Sequence, residues 1–280
     1  ADSIKYTADQ LGELIEFAEK KIPGIKYDEE KLVKLHDYNR VQRNYLREIY
    51  QAKKAMPSPI AGIDAFRSIQ PAARFTRPEM ALTWMEAYRD EILERVEKGF
   101  SPVAEEKLRF VWLTAGPYLR NPFTFLEERG VTVPMLITAG LARKCVRDLR
   151  RTDNDDYGDD IQEFGKQLTP LEEEGRDQYN SWGSLGSAWV DDIINCCRDL
   201  NIDGIVQWMQ VGCPTTMGLG KVVSDRAENE LGILTLNLEG RMIEADAYNP
   251  DVDEAKLGEF VELCLTAKES RNRAMVAGSI

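Results

Sequence analysis

Apolar positions in the first hundred residues recur every three or four places, the period of an amphipathic helix. Thr7-Ala8-Asp9-Gln10 has the form of a capping box, and Leu11, Leu14, Ile15, Ala18 and Ile22 follow at helical spacing until Pro23-Gly24. A second helix is expected from Asp28, carrying Leu32, Leu35, Tyr38, Val41, Tyr45, Ile49 and Ala52. A stripe of that length packs helix on helix. Met56-Pro57-Ser58-Pro59 ends it, because proline lacks the backbone donor and pushes its predecessor to extended geometry. A short helix is expected from Gly62 to Ile69. Another runs from Pro78 to about Lys98, with Met80, Trp84, Tyr88, Ile92 and Val96 stepping by four along its face.

Near Leu108 the period changes. Leu108–Leu113, Val131–Ile137, Gly204–Met209 and Gly232–Leu238 are short apolar runs of strand character, with Pro134 marking an edge strand or a strand end. Helical segments are expected at Asn121–Arg129, Ser184–Leu200, from about Thr216 to Leu231, and at Asp253–Lys268. Strands alternating with helices predict an α/β fold: a helical region over 1–105, then a Rossmann/flavodoxin-like domain over 106–280 with a mainly parallel sheet of four to five strands. Such sheets bind ligands beyond the carboxyl ends of their strands, which directs attention to the turns after Leu113, Met209 and Leu238.

Charge narrows the function. Lys and Arg number 36 against 48 Asp and Glu, a net charge of −12. That balance lacks the basic footprint of a nucleic-acid binder and disfavours anionic membrane surfaces. No apolar run approaches the roughly 18 to 20 residues that span a bilayer, and Ala1–Lys5 shows no signal-peptide core. Five cysteines in no disulfide-framework spacing point to a reducing cytoplasm. The single histidine, His36, argues against His-based triads and multi-His metal sites, and is expected as a partly exposed helix residue.

Two tempting motifs fail on their own chemistry. In Asp153–Asp160 an EF-hand register places Phe164 where the bidentate Glu belongs, so the stretch reads as a solvated loop. Gly218-Leu219-Gly220 opens a dinucleotide fingerprint, but Val223 stands at its third glycine. Gly220-Lys221 precedes Val222 rather than Ser or Thr, so no P-loop is formed and ATP hydrolysis by this chain is not expected.

Cys213 is the most informative residue. It follows a strand and precedes a helix, where unpaired N–H groups and the helix dipole favour anions and stabilise a thiolate. The same place suits one corner of an iron-sulfur cluster, and equally a buried free cysteine in a turn. Cys196, Cys197 and Cys264 fall in apolar helical patterns and are expected in the core; Cys145 lies among Arg143, Lys144 and Arg147, without an evident partner.

Asp203 to Cys213, then Arg226-Ala227-Glu228-Asn229-Glu230-Leu231-Gly232-Ile233, then Leu236-Asn237-Leu238-Glu239-Gly240, resembles the C-terminal part of the 2-hydroxyacyl-CoA dehydratase / benzoyl-CoA reductase family, whose subunits include the D-component of 2-hydroxyglutaryl-CoA dehydratase. Tyr38-Asn39 and the stretch from Tyr45 to Pro59 are similar to that family's middle region. The resemblance implies two homologous subunits, each holding a 4Fe-4S cluster through cysteines, and a separate ATP-dependent activator delivering a low-potential electron. It implies that Cys213 is the last of three cluster ligands and that Gly212 shapes the cluster pocket. The other two cysteines belong to an N-terminal domain that nothing here matches, so the chain reads as part of a longer subunit and is expected to be inactive alone.

The activity so implied is one-electron reduction of a CoA thioester to a ketyl radical, followed by loss of water from a 2-hydroxyacyl-CoA or by reduction of an aromatic acyl-CoA. The alternatives are an electron-relay subunit with no substrate site, or a non-catalytic assembly module in which Cys213 is merely buried.

Overall fold

The computed structural model describes residues 2–68, 78–114, 116–117, 119–137, 162–163, 166–182, 187–241, 243–244, 246 and 248–276. Cys145 and the acidic stretch Asp153–Asp160 lie outside them, as does the start of the helix expected from Ser184.

Four helices come first: α1 (Asp2–Lys21), α2 (Glu29–Ala52), α3 (Gly62–Arg67) and α4 (Pro78–Glu97). Asp28 caps α2 as expected, its carboxylate accepting from the Lys31 N–H at 3.0 Å. Thr7-Ala8-Asp9-Gln10 is not a helix start. The helix already runs from Asp2, and the Thr7 hydroxyl bonds back to the Ser3 carbonyl at 2.9 Å. On α4 the buried side is Ala81, Met85 and Ile92, while Met80 is 53% exposed. A step of four overshoots one turn by about 40°, so a row of such steps drifts off the buried face.

The remaining described elements are β1 (Leu108–Leu113), α5 (Phe123–Glu127), β2 (Val131–Ile137), a short antiparallel pair β3 (Gln162–Glu163) and β4 (Lys166–Gln167), α6 (Pro170–Trp182), α7 (Ser187–Asp199), β5 (Gly204–Gln210), α8 (Pro214–Leu231), β6 (Leu234–Gly240) and α9 (Ala255–Val276), which a π-helical turn (Pro250–Glu254) introduces. β2, β1, β5 and β6 form one parallel sheet in that order. β1 and β5 are central, so they are apolar almost throughout. β2 is an edge strand, and its register against β1 slips between Arg109 and Val111, opposite Val133-Pro134. Pro134 therefore sits at a bulge on an edge, where a missing donor costs least.

Strand alternation divides the core in two. Val111, Leu113 and Ile205 face α7 and α8 through Val190, Ile193, Ile194, Val223 and Ala227. Phe110, Trp112, Val206 and Trp208 face α5 and α9 through Phe123, Leu126, Leu257, Phe260 and Val261. Cys196 and Cys197 lie in the first layer and Cys264 in the second, all buried.

Candidate functional site

From β1 the chain passes to β2 on one side, and later enters β5 on the other side of β1. The sheet thus has its switch point between β1 and β5, the crevice where open α/β sheets take ligands. Both strands end there in backbone that ordinary residues avoid. Thr114, which follows β1, has φ 77° although it is β-branched, and its N–H donates to Ile137 O at 2.8 Å. Trp112 Nε1 donates to Gly116 O at 2.8 Å, and a Cβ on Gly116 would fall 2.5 Å from Trp208 Nε1. Gly116 is thus required by close approach to the indole. The Trp208 Nε1 and Tyr248 hydroxyl are both buried, with no hydrogen-bond partner among the described residues.

After β5, the Val211 N–H still pairs with Gly240 O at 3.1 Å, and then the chain turns sharply. Gly212 has φ 84°, and a Cβ there would meet nothing within 4 Å, so the turn needs glycine and faces open space. Cys213 follows as the N-cap of α8 with extended backbone, its N–H donating to Gln210 O at 3.0 Å. Pro214 occupies the first helical position, where its missing N–H leaves no gap.

Cys213 is only part buried. Burial pushes its thiol up, but the Thr215 and Thr216 N–H groups and the Thr216 hydroxyl at the helix start favour the thiolate and outweigh it, so the net shift is downward. None of them closes a side-chain capping bond, and the helix end keeps donors available. The other described cysteines differ. Burial lifts the Cys196 and Cys264 thiols to about 12 and Cys197 well above its ordinary value. These three behave as packed apolar groups.

Among the described residues no group of three or more His, Cys, Asp or Glu side chains comes together to hold a metal. An iron-sulfur cluster would therefore find one ligand here, Cys213, with Gly212 leaving room beside it. The donor set fits one corner of such a group and not a whole site.

His36 is not the partly exposed residue expected. It is 2% exposed, with Nδ1 3.2 Å from Glu173 and Nε2 3.2 Å from Glu174. Burial opposes its charge, but the two carboxylates prevail and raise it to about 9. Arg40 and Arg176 each approach the other Glu173 oxygen at 3.8 Å, so the cluster links α2 to α6 by charge. Its partners lie so far along the chain that no local pattern announces them.

Another residue that pattern reading missed is Gln207, 2% exposed in central β5. Its amide Nε2 lies 2.9 Å from Gly220 O, 3.0 Å from Asn237 Oδ1 and 3.2 Å from Ser224 Oγ, three acceptors that share its two N–H groups. A polar residue inside an apolar strand was the available signal.

Two comparisons bear on this arrangement. The family model described as 2-hydroxyglutaryl-CoA dehydratase, D-component, matches residues 1–263. The alpha subunit of (R)-phenyllactyl-CoA dehydratase from Clostridium sporogenes is 32% identical over 142 residues, 49% of this chain and 34% of that subunit. The aligned part is thus about a third of the length of that relative.

Proposed function

The chain belongs to the 2-hydroxyglutaryl-CoA dehydratase D-component family, and from that membership we propose that it forms part of one subunit of a 2-hydroxyacyl-CoA dehydratase. Its role in that subunit is to present Cys213 as one iron ligand of a 4Fe-4S cluster whose remaining cysteines lie outside the described residues. The observation that carries the reading is the open turn at Gly212 and Cys213: a thiolate-favouring cysteine at a helix N-terminus, beside the switch point of a parallel sheet.

A 4Fe-4S cluster, with Cys213 holding one iron, would supply low-potential one-electron chemistry toward a CoA thioester. What this chain contributes is electrostatic and steric. The Thr215 and Thr216 N–H groups favour the anionic sulfur and remain at hand for the sulfides around it. Gly212 leaves the approach clear, where a side chain would stand in the way. The Thr216 hydroxyl donates to Cys213 O at 3.4 Å and so ties the cap to the first turn of the helix.

The relative is named as an alpha subunit, which supports a homologous partner subunit; an ATP-dependent activator belongs to the same reading. The setting proposed is the anaerobic cytoplasm. Among the described residues no helix is long and apolar enough to cross a membrane. The substrate class is a 2-hydroxyacyl-CoA.

The test is to assemble the complete enzyme anaerobically with its partner and activator and offer (R)-phenyllactyl-CoA and benzoyl-CoA in parallel. Loss of water from the hydroxyacyl thioester supports the proposal. Reduction of the aromatic thioester alone would replace it with the reductase reading, and inertness toward both would favour a relay or assembly subunit.

A further inference from the structure

Helix α8 meets the sheet through Val223 and Ala227, both fully buried, and through Gly220, where a Cβ would lie 2.5 Å from Met209 Cε. Apolar contact of this kind is non-directional and by itself lets a helix slide or roll. At its N-terminal end α8 is tied to β5 by the Cys213 N–H to Gln210 O bond, across Gly212, where a Cβ would meet nothing within 4 Å among the described residues. One tether over a free glycine is a pivot. Gln207 supplies the second: its amide reaches Gly220 and Ser224 on α8 and Asn237 on β6, its register partner. Gly220 stands seven residues beyond Cys213, about 10 Å along the axis, so two separated ties fix both the slide and the tilt of the helix.

We propose that Gln207 is a positioning residue, whose buried amide locks α8 against β5 and β6 and thereby sets where the Cys213 sulfur stands at the carboxyl edge of the sheet. This rests on the reading of Cys213 as a cluster ligand, a role in which metal–sulfur distances tolerate only about 0.2 Å of error. A buried amide costs desolvation that an apolar residue would avoid, and fixing a register is the best-attested return on such a cost.

The experiment measures position directly. Nitroxide labels are placed on Cys213 and on Glu262→Cys, an exposed site on α9, with Cys145→Ser to keep labelling selective. Pulsed dipolar spectroscopy of the whole chain should give one narrow distance. With Gln207→Met, which preserves length and apolar packing, that distance should shift or split by at least one residue's rise, about 1.5 Å. A control pair at Glu239→Cys and Glu262→Cys, in a Cys213→Ser background, should not move, which separates a displaced α8 from a loosened fold.

Asn237→Ala at the exposed sheet edge cuts only the strand-side bond and should give a smaller shift in the same distance; it decides the matter if Q207M folds poorly. Wild-type distances in the folded variants would overturn the proposal. Iron content of the complete C213A enzyme tests the ligand reading separately, so the two failures are distinguishable.

Discussion

Two buried cations set opposite pH dependences at the residue scale. His36, raised to about 9 from an ordinary 6.5, binds its proton more tightly folded than unfolded. Its contribution is complete below pH 6.5 and is lost as pH rises through 9. His36→Gln should destabilise by roughly 2 kcal/mol at pH 7 and remove that decline, as urea unfolding across pH 6 to 10 will report. Lys53 runs the other way. It is buried, its Nζ reaches Met135 Sδ at 3.5 Å and no other side chain among the described residues, and burial lowers it from 10.5 to about 8. The folded state sheds this proton first, so stability should rise between pH 8 and 10.5. Lys53→Met should stabilise the chain by roughly 2–3 kcal/mol at pH 7 and abolish that rise. A variant less stable than wild type would show that the amine has a partner worth more than its burial.

At the scale of elements, packing distance decides what pattern alone cannot. α1 lies so close on α6 that a Cβ at Gly175 would sit 2.9 Å from Ala8 N and 3.0 Å from Ile4 O, both backbone atoms. Gly175→Ala should therefore lose roughly 1–3 kcal/mol by overpacking, despite alanine's better helix propensity. Amide exchange should show α1 opening first, and uniform protection would contradict this contact. The same comparison shows what was legible. Asp28 and Pro134 announce their roles through local chemistry, a side-chain oxygen that caps and a nitrogen that cannot donate, and both stand where that chemistry requires. Thr7-Gln10 and the step-of-four row on α4 mislead, because several faces and several starts fit one short pattern. On α2 the apolar stripe packs toward α4, yet His36, Gln42 and Arg47 on other faces are buried as well. Burial of charge against α6 depends on the paired carboxylates, which no spacing within α2 can indicate.

For the whole molecule, alternating strand and helix runs made the parallel sheet readable; of the three strand ends singled out, those after Leu113 and Met209 flank the switch point, while the one after Leu238 lies on the edge strand β6. The turn at Cys213 was legible for the same reason: strand, glycine, cysteine and proline in sequence describe a turn into a helix. The positive φ of Thr114, the Trp208 and Tyr248 groups that find no hydrogen-bond partner among the described residues, and the amide of Gln207 were not legible, since each depends on segments far apart in the chain. The central claim is that Cys213 holds iron in the assembled enzyme. Iron and acid-labile sulfide in the complete enzyme, purified anaerobically with its partner, test it most directly. In C213A both should fall by about half, to the share of the partner subunit's own cluster, and dehydration activity should be lost, while thermal unfolding of the variant remains cooperative. Unchanged iron, sulfide and turnover in C213A would contradict the account.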